Sequence, residues 1–148
     1  NLRIYLHRPS NIYGPNDHFG KNENQVIPSF IKKIAAGEPI EIWGDGSQTR
    51  QFIYVKDVVY SVLSMVEGNY TGALNVSTDE FVSILNLAKI IYERFDKTSN
   101  VNLNPAKSIG VKSRILDTSK MYELIDFELT SLENGIQQTI NWYQNSNL

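Results

Sequence analysis

The sequence predicts an α/β protein, because two kinds of hydrophobic pattern alternate along it. In the stretch 2–8, Leu2, Ile4 and Leu6 recur at every second position, which is typical of a strand with one buried face. In the stretch 83–95, apolar residues recur at every third or fourth position, which is typical of a helix that packs on one side. We therefore expect a small mixed sheet with helices packed against it.

The first elements are bounded by turn-forming residues. The strand at 2–8 is followed by 9–17, a segment with two prolines that predicts a loop at the strand end. A helix is predicted from Asn24, with Pro28 in its first turn, where a missing amide proton is tolerated. Gly37 then predicts the end of this helix, because glycine is common just past a helix C-terminus.

Short strands with a turn between them come next. The segment 40–43 predicts a strand, 44–46 a turn, and 51–55 a second strand rich in aromatic and β-branched residues. Asp57 is expected to cap the following helix, which Gly68 ends. That helix carries Val58, Val59, Val62, Leu63 and Val66.

The remaining elements continue the alternation. They are a strand at 72–76, the helix from about Ser83, short strands at 101–103 and 113–116, a short helix at 118–124, and a last helix that starts at the capping box Thr130-Ser131-Leu132-Glu133. We found no internal repeat, low-complexity tract or linker, so we expect one domain over residues 1–148.

Composition excludes several classes of function. With 14 Lys and Arg against 16 Asp and Glu, the chain has a formal net charge of −2, which argues against nucleic-acid binding. The absence of cysteine excludes disulfides and thiolate metal sites and is compatible with a cytoplasmic protein. The apolar runs are too short for a membrane span. Residues 1–8 resemble a strand rather than a signal peptide, and no methionine precedes them, so we expect a piece of a longer chain.

Polar residues beside predicted strands are the candidates for ligand contacts. Asn11, Arg50, Lys107 and Arg114 lie near strand ends, where α/β proteins hold anions, and the planar guanidinium of arginine suits phosphate. On composition alone, any one of them is more often a solvated surface side chain. Trp43 closes its strand beside Gly44 and could stack on a flat base, although an aromatic residue there is more often part of the core.

Other sites are not supported by the residue pattern. Gly44-x-Gly46-x-x-Thr49 superficially resembles a dinucleotide fingerprint, but a strand follows it instead of a helix, which favours a simple turn. His7 and His18 have no acidic partners at ligand spacing, so no metal site is expected. No Gly-x-Ser-x-Gly nucleophile motif occurs.

Several blocks in order give the chain a resemblance to a known family. The blocks are Arg8-Pro9-Ser10-Asn11-Ile12-Tyr13-Gly14-Pro15, Val26-Ile27-Pro28, Trp43-Gly44-Asp45-Gly46, Arg50-x-Phe52-Ile53-Tyr54-Val55-x-Asp57, Leu74-Asn75-Val76, Arg114-x-x-Asp117-x-Ser119-Lys120 and Thr130-Ser131-Leu132-Glu133-x-Gly135-Ile136. Together they resemble the extended short-chain dehydrogenase/reductases that act on nucleotide sugars, including UDP-glucose 4-epimerase and fucose synthase types. The resemblance implies the C-terminal, substrate-binding part of a Rossmann-type enzyme, which begins with a late strand of the missing Rossmann domain.

The same resemblance implies that the catalytic pair lies elsewhere. The family's acid/base tyrosine belongs to a Tyr-x-x-x-Lys pair, and none of the eight tyrosines here has a lysine four residues later. We therefore assign no catalytic residue in this chain. The full-length enzyme is expected to use NAD or NADP, and this chain alone is expected to bind neither.

Individual roles follow from the resemblance alone. Pro9 and Ser10 match positions beside the nicotinamide, and Asn11 matches a contact to the substrate's phosphate or sugar. Gln25 and Val26 match the segment against the nucleotide. Trp43 matches the residue that packs on the base, Arg50 the arginine on the diphosphate, and Lys107 a second phosphate-binding position, usually arginine. Gly110 stands where some epimerases carry an acid on the ribose. Arg114 completes the expected substrate contacts.

Three readings stay open at this point. The chain could be the substrate-binding portion of an NAD(P)-dependent nucleotide-sugar epimerase, dehydratase or reductase. It could also be a nucleotide-sugar-binding module without chemistry, or a folded fragment whose exposed sheet edge makes it self-associate into a homo-oligomer. The segments 13–19 and 26–28 lean towards the fucose synthase type and a guanine nucleotide.

Overall fold

Strands and helices alternate through the computed structural model, which describes residues 2–20 and 25–146. Within these ranges the strands are Leu6–Pro9 (β1), Asn11–Tyr13 (β2), Ile40–Trp43 (β3), Thr49–Arg50 (β4), Phe52–Tyr54 (β5), Ala73–Val76 (β6), Val82–Ser83 (β7), Val101–Asn104 (β8) and Ser113–Arg114 (β9). The helices are Val26–Ala36 (α1), Val55–Glu67 (α2), Ile84–Arg94 (α3), Ser119–Leu124 (α4) and Leu132–Asn145 (α5). No helix in the described ranges has the length and apolar character needed to cross a membrane.

The strands form four small sheets. Three are parallel pairs, β1 with β6, β2 with β5 and β3 with β8. The fourth places β4 between β7, to which it is antiparallel, and β9, to which it is parallel. The predicted α/β class is confirmed, and the expected mixed sheet is divided into these separate pieces.

Helix α1 forms where the sequence predicts a helix. Gln25 is its N-cap. The predicted start at Asn24 lies outside the described residues. Gly37 ends the helix in a left-handed conformation with φ of 75°, and its amide donates to the Ile34 carbonyl. The buried face of the helix consists of Ile27, Pro28, Phe30, Ile31 and Ile34.

Two hydrophobic cores hold these elements together. The larger core joins α1, α3 and α5 to β3 and β5, and the smaller one contains Ile53, Met65, Leu74, Val76 and Met121. Side chains of the larger core also line the cavities described below, so packing of the core positions the site.

The first strand differs from the prediction. It begins at Leu6, and the side chains expected on its buried face are exposed, Leu2 by 88%, Ile4 by 65% and Leu6 by 53%. His7, on the opposite face, approaches α2, where its Nε2 lies 2.8 Å from the Ser61 hydroxyl. Their exposure shows that this apolar face is uncovered within the described part of the chain, where β1 also pairs with β6 alone.

Helix α2 also presents an unexpected face to solvent. Its buried residues are Asp57, Ser61 and Met65. The apolar stripe predicted for it is largely exposed, over Val59, Val62, Leu63 and Val66. The helix therefore packs on the smaller core through a narrow, partly polar face.

Two predicted helix caps are wrong for one shared reason. Helix α2 starts at Val55 with Tyr54 as N-cap, so Asp57 lies inside its first turn. Asp57 binds Thr130 instead, and the N-cap of α5 is Ser131, whose hydroxyl accepts from the Asn134 amide at 3.4 Å. The predicted capping box is displaced by one residue because Thr130 is engaged by Asp57.

Candidate functional site

Two adjoining cavities meet at Arg50. The first has a volume of about 520 Å³ and is lined by Ser10, Asn11, Ile12, Tyr13, Gln25, Val26, Ile27, Arg50, Phe52 and Ile84. The second has a volume of about 630 Å³ and is lined by Gln25, Val26, Ser29, Phe30, Glu41, Ile42, Trp43, Gln48, Arg50, Ile84, Ser108, Ile109 and Gly110. The residues common to both are Gln25, Val26, Arg50 and Ile84. Six of the nine sequence-predicted contacts therefore line one continuous depression.

The end of β1 and the start of β2 form one wall of the first cavity. The Ser10 amide donates to the Val76 carbonyl at 2.9 Å, and its hydroxyl accepts from the Ser77 hydroxyl at 2.7 Å. The Asn11 Nδ2 donates to the Gln51 carbonyl at 2.8 Å, which leaves its Oδ1 as the acceptor available to a ligand. Pro9, the last residue of β1, is exposed and lies outside both linings.

Arg50 lies on the two-residue strand β4, half-buried between two neighbours. Its Nη1 donates to the Thr49 carbonyl at 2.7 Å. Of the five N–H donors of the guanidinium, this is the one that has a partner within the described part of the chain. Arg50 pairs in register with Arg114 of the parallel strand β9, so the two side chains leave the sheet on the same side. Arg114 is exposed and lies outside both linings. Of this pair, Arg50 is therefore the residue placed to meet an anion in the cavities.

Gln51 fixes the strand that carries Arg50. Its side chain is 2% exposed, its Nε2 donates to the Thr78 carbonyl at 2.8 Å, and its Oε1 accepts from the Leu116 amide at 2.7 Å. Sequence reasoning missed this residue, because its partners lie 27 and 65 positions away and leave no local signal. Gln51, which joins β4 to β5, therefore couples both strands to the segment that follows β9.

The Trp43 ring lies at the edge of the second cavity. Along β3, Ile40 and Ile42 are buried, whereas Glu41 and Trp43 point outward. The ring is 51% exposed, which excludes the interpretation of Trp43 as a core residue. Lys107 Nζ lies 4.8 Å from the ring centroid and 3.0 Å from the Glu41 carboxylate. Hydrogen bonds from Lys107 and then Asn104 hold the pKa of Glu41 below its usual range.

The segment around Gly44 closes the same cavity. Gly44-Asp45-Gly46 is a turn, as the sequence predicts, and Gly44 has φ of 75°. A Cβ at Gly44 would collide with Ile109, so glycine is required for the approach of the 108–110 segment. Gln48 lies beneath this turn, where its Nε2 donates to the Trp43 carbonyl at 3.1 Å and its buried Oε1 has no described partner.

Several lining residues were not predicted. Glu41 could have been found from its alternation with Trp43, which places both on one face of β3. Gln48, Ser108 and Ile109 carry no such signal, because loop and turn contacts bring them to the cavity. Lys107, predicted to contact the ligand, lines neither cavity, and its Nζ lies over the Trp43 ring.

Tyr13 lines the first cavity with its side chain buried. Burial, followed by the charge of Asp57, raises the pKa of Tyr13 far above its usual range, and its hydroxyl is directed at the Leu132 carbonyl 3.4 Å away. A phenol in this state keeps its proton at neutral pH. Within residues 2–20 and 25–146, no three His, Asp or Glu side chains are grouped as metal ligands.

Comparison with known proteins places the chain in a family. The sequence model of the NAD dependent epimerase/dehydratase family matches residues 1–77. A dTDP-4-dehydro-6-deoxy-D-allose reductase from Streptomyces bikiniensis is 43% identical over 95% of this chain and 43% of its own length. GDP-L-fucose synthase 1 from Arabidopsis thaliana is 29% identical over 91% of this chain and 44% of its own length.

Solved structures agree with this result. The UDP-N-acetylglucosamine 4-epimerase from Methanobrevibacter ruminantium M1, in complex with UDP-N-acetylmuramic acid, superimposes with a TM-score of 0.86 at 29% identity. The match covers 97% of this chain and 46% of that protein. The chain thus spans less than half the length of these relatives. Because the family model matches more than half of its residues, the chain belongs to the NAD dependent epimerase/dehydratase family.

Proposed function

We propose that the chain forms the nucleotide-sugar-binding portion of an NAD(P)-dependent epimerase, dehydratase or reductase. The observation that carries the proposal is the position of Arg50, which lines both cavities, with Asn11 in one and Trp43 in the other. A nucleoside diphosphate sugar has the same three-part order, a flat base, a doubly charged linker and a polyhydroxyl ring.

The chemistry of each part supports this order. The Arg50 guanidinium is suited to the diphosphate, because arginine binds phosphate oxygens through paired N–H donors. Arg114 occupies the paired position on β9. The half-exposed Trp43 ring offers a stacking surface for the base. Ser10 and the Oδ1 of Asn11, which has no partner among the described residues, provide polar contacts for sugar hydroxyls in the first cavity. Gln25 and Val26 line both cavities and would lie along the nucleotide.

The identity of the nucleotide is best tested with thymidine first. The relative that is 43% identical is named for a dTDP sugar, whereas the fucose synthase relative, named for a GDP sugar, is 29% identical. We therefore propose a thymidine diphosphate sugar ahead of the guanosine diphosphate sugar that the 13–19 and 26–28 segments favour. Uridine diphosphate sugars are the third class to test.

The residues at the end of β1 fit a nicotinamide cofactor. Pro9 and Ser10 lie at the carboxyl end of a parallel strand, where α/β proteins place such ligands, and Ser10 also lines the first cavity beside Asn11. A bound nicotinamide would supply hydride transfer. Ser10 and Asn11 would hold the sugar facing it. None of the chain's tyrosines is in a Tyr-x-x-x-Lys pair, so we propose that proton transfer depends on residues outside this chain.

The uncovered face of β1 supports the domain assignment. Parallel sheets are ordinarily covered on both faces, but the apolar side of β1 is exposed and β6 is its single described neighbour. We propose that β1 and β6 belong to a larger parallel sheet of a Rossmann domain and that residues 1–148 form one substrate-binding unit with it. The alternative, self-association through this edge, predicts sedimentation as a dimer or larger species.

Calorimetry on the longest polypeptide that the gene encodes tests the proposal. We expect binding of dTDP-sugar that Arg50→Ala weakens roughly 10- to 100-fold, the range expected when charge-assisted hydrogen bonds are lost. Arg94→Ala, at an exposed helix end, is the matched control and should leave affinity unchanged. Absence of binding to thymidine, guanosine and uridine diphosphate sugars would refute the proposal.

A second measurement separates an enzyme from a binding module. The same polypeptide is incubated with the bound sugar nucleotide and NAD or NADP, and nicotinamide absorbance and sugar products are followed. Conversion supports the epimerase, dehydratase or reductase assignment. Tight binding without conversion favours a module that binds nucleotide sugars and performs no chemistry.

A further inference from the structure

The side chain of Lys107 is held at one end of the site by two contacts. Its Nζ lies 3.0 Å from Glu41 Oε1 and 4.8 Å from the centroid of the Trp43 ring. Glu41 and Trp43 are two residues apart on β3 and point to the same side. The ammonium therefore contacts a carboxylate and an aromatic face at the same time, a combination that orients all three side chains.

The backbone around Lys107 fixes the same arrangement. The Lys107 amide donates to the Asn104 carbonyl at 3.2 Å, which folds the chain back over the end of β8. Asn104 is paired with Trp43 across the two strands, and its Nδ2 donates to Glu41 Oε2 at 3.3 Å. Both oxygens of the Glu41 carboxylate are thus occupied by groups from the β8 turn.

This arrangement lies away from the proposed diphosphate position. Arg50 lines both cavities, whereas Glu41 and Trp43 line the second cavity alone, and Lys107 lines neither. The ammonium of Lys107 is already paired with Glu41, so a phosphate contact would have to compete with this ion pair. One face of the Trp43 ring is covered by the ammonium, which leaves the other face for a ligand.

We infer that Lys107, fixed by Glu41, holds the Trp43 ring and is thereby a positioning residue for the nucleotide base, and that Lys107 does not bind the diphosphate. The inference rests on the proposed function, because it takes Trp43 as the stacking surface. It departs from the phosphate-binding role that the family resemblance implies for Lys107. It also assigns a role to Glu41, a residue absent from the sequence-predicted site.

A ligand series that differs in phosphate number alone tests this inference. Dissociation constants of thymidine, thymidine monophosphate and thymidine diphosphate are measured by calorimetry on the full chain and its variants. Lys107→Met removes the charge but keeps the length of the side chain. We expect it to weaken all three ligands by the same factor, about three- to tenfold, the range of a cation–π contact. Arg50→Ala should instead have an effect that grows with each phosphate.

Three further variants make the result specific. Glu41→Gln releases Lys107 from its ion pair and should also weaken the ligands without dependence on phosphate number. Lys107→Arg keeps both the cation and its contacts and should preserve affinity within about twofold, because arginine also stacks on aromatic rings. Lys120→Met, at an exposed lysine of α4, controls for net charge and should change nothing.

The outcomes are distinguishable. If the effect of Lys107→Met increases from thymidine to the diphosphate as that of Arg50→Ala does, Lys107 binds phosphate and the inference is wrong. If Lys107→Met leaves every affinity unchanged, Lys107 does not position the base and the inference is again wrong. If thymidine binds too weakly to measure, the loss of affinity that Lys107→Met causes is compared between the monophosphate and the diphosphate, and that comparison decides between the two roles. If the wild-type chain binds none of the three, the series is repeated with guanosine and uridine nucleotides, and failure of all three series overturns the proposed function itself.

Discussion

Asp57 and Thr130 are joined by two hydrogen bonds across 73 positions of the chain. The Thr130 amide donates to Asp57 Oδ2 at 2.8 Å, and its hydroxyl donates to Asp57 Oδ1 at 3.0 Å. Asp57 is 2% exposed, so both bonds lie in a medium where an unpaired carboxylate would be costly. The pair fixes the start of α5 against the first turn of α2.

The first prediction concerns this pair. Asp57→Asn keeps the shape but replaces one acceptor oxygen with an amide donor, so we expect the free energy of unfolding to fall by about 1–3 kcal/mol. Chemical denaturation measures the change. Thr130→Ser retains both donors and should cost less than Asp57→Asn. Thr130→Val combined with Asp57→Asn should cost less than the sum of the single changes, and strict additivity would show that the two residues do not interact.

The second prediction concerns the close approach at Gly44. Gly44 and Gly37 share φ of 75°, but a Cβ would collide with Ile109 at Gly44 and would have open space around it at Gly37. Gly44→Ala should therefore destabilise the chain more than Gly37→Ala, by roughly 1–3 kcal/mol, the usual cost of overpacking. Ile109→Ala should relieve this difference. Equal losses for Gly44→Ala and Gly37→Ala would mean that backbone strain alone accounts for the effect.

The third prediction concerns pH. Partial burial lowers the pKa of His7 below its ordinary value of 6.5, so the unfolded chain takes up the proton first as pH falls. The free energy of unfolding should therefore decrease as pH falls through 6.5 towards the lower pKa of the folded chain, and His7 should contribute no slope well above 6.5. Denaturation from one pH unit above 6.5 to one below measures the slope. His7→Gln should make it shallower, and an unchanged slope would contradict the assignment to His7.

The fourth prediction concerns Gln51. Replacing it with methionine leaves the Thr78 carbonyl and the Leu116 amide without partners, so we expect a loss of about 2 kcal/mol or more. Because Gln51 adjoins Arg50, nucleotide affinity measured under folded conditions should also fall. Gln137→Met, on the surface of α5, removes one hydrogen bond to Asn141 and should cost under about 0.5 kcal/mol. Equal effects of the two changes would show that the Gln51 bridge is not structural.

Local signals account for the parts of the fold that the sequence predicted. Helix α1 ends at Gly37 and helix α3 begins after Ser83, whose hydroxyl accepts from the Asn86 amide at 3.1 Å, because each boundary depends on residues within one turn. Asp57 could not be assigned in this way, since its partner is distant in sequence. The apolar stripe of α2 shows a second limit, because periodicity identifies a hydrophobic face but not whether anything packs on it.

The residues of the candidate site show the same difference between local signals and tertiary contacts. Asn11, Trp43 and Arg50 belong to short motifs beside strands, and the structure places them around one depression. Lys107 belongs to a loop whose course depends on the pairing of β3 with β8 and on the approach to Gly44, so its position could not be derived from spacing. The same dependence on tertiary contacts kept Gln48 out of the predicted set.

The combined lining of the two cavities has a mechanical consequence. It draws together residues from Ser10 to Gly110, a hundred positions apart, and the strands among them belong to different small sheets. A ligand seated across Arg50 would act as a noncovalent cross-link among strands that share few hydrogen bonds with one another. Ligand binding would then raise the ratio of folded to unfolded chain as ligand concentration increases. Resistance to proteolysis would report how completely the site is filled.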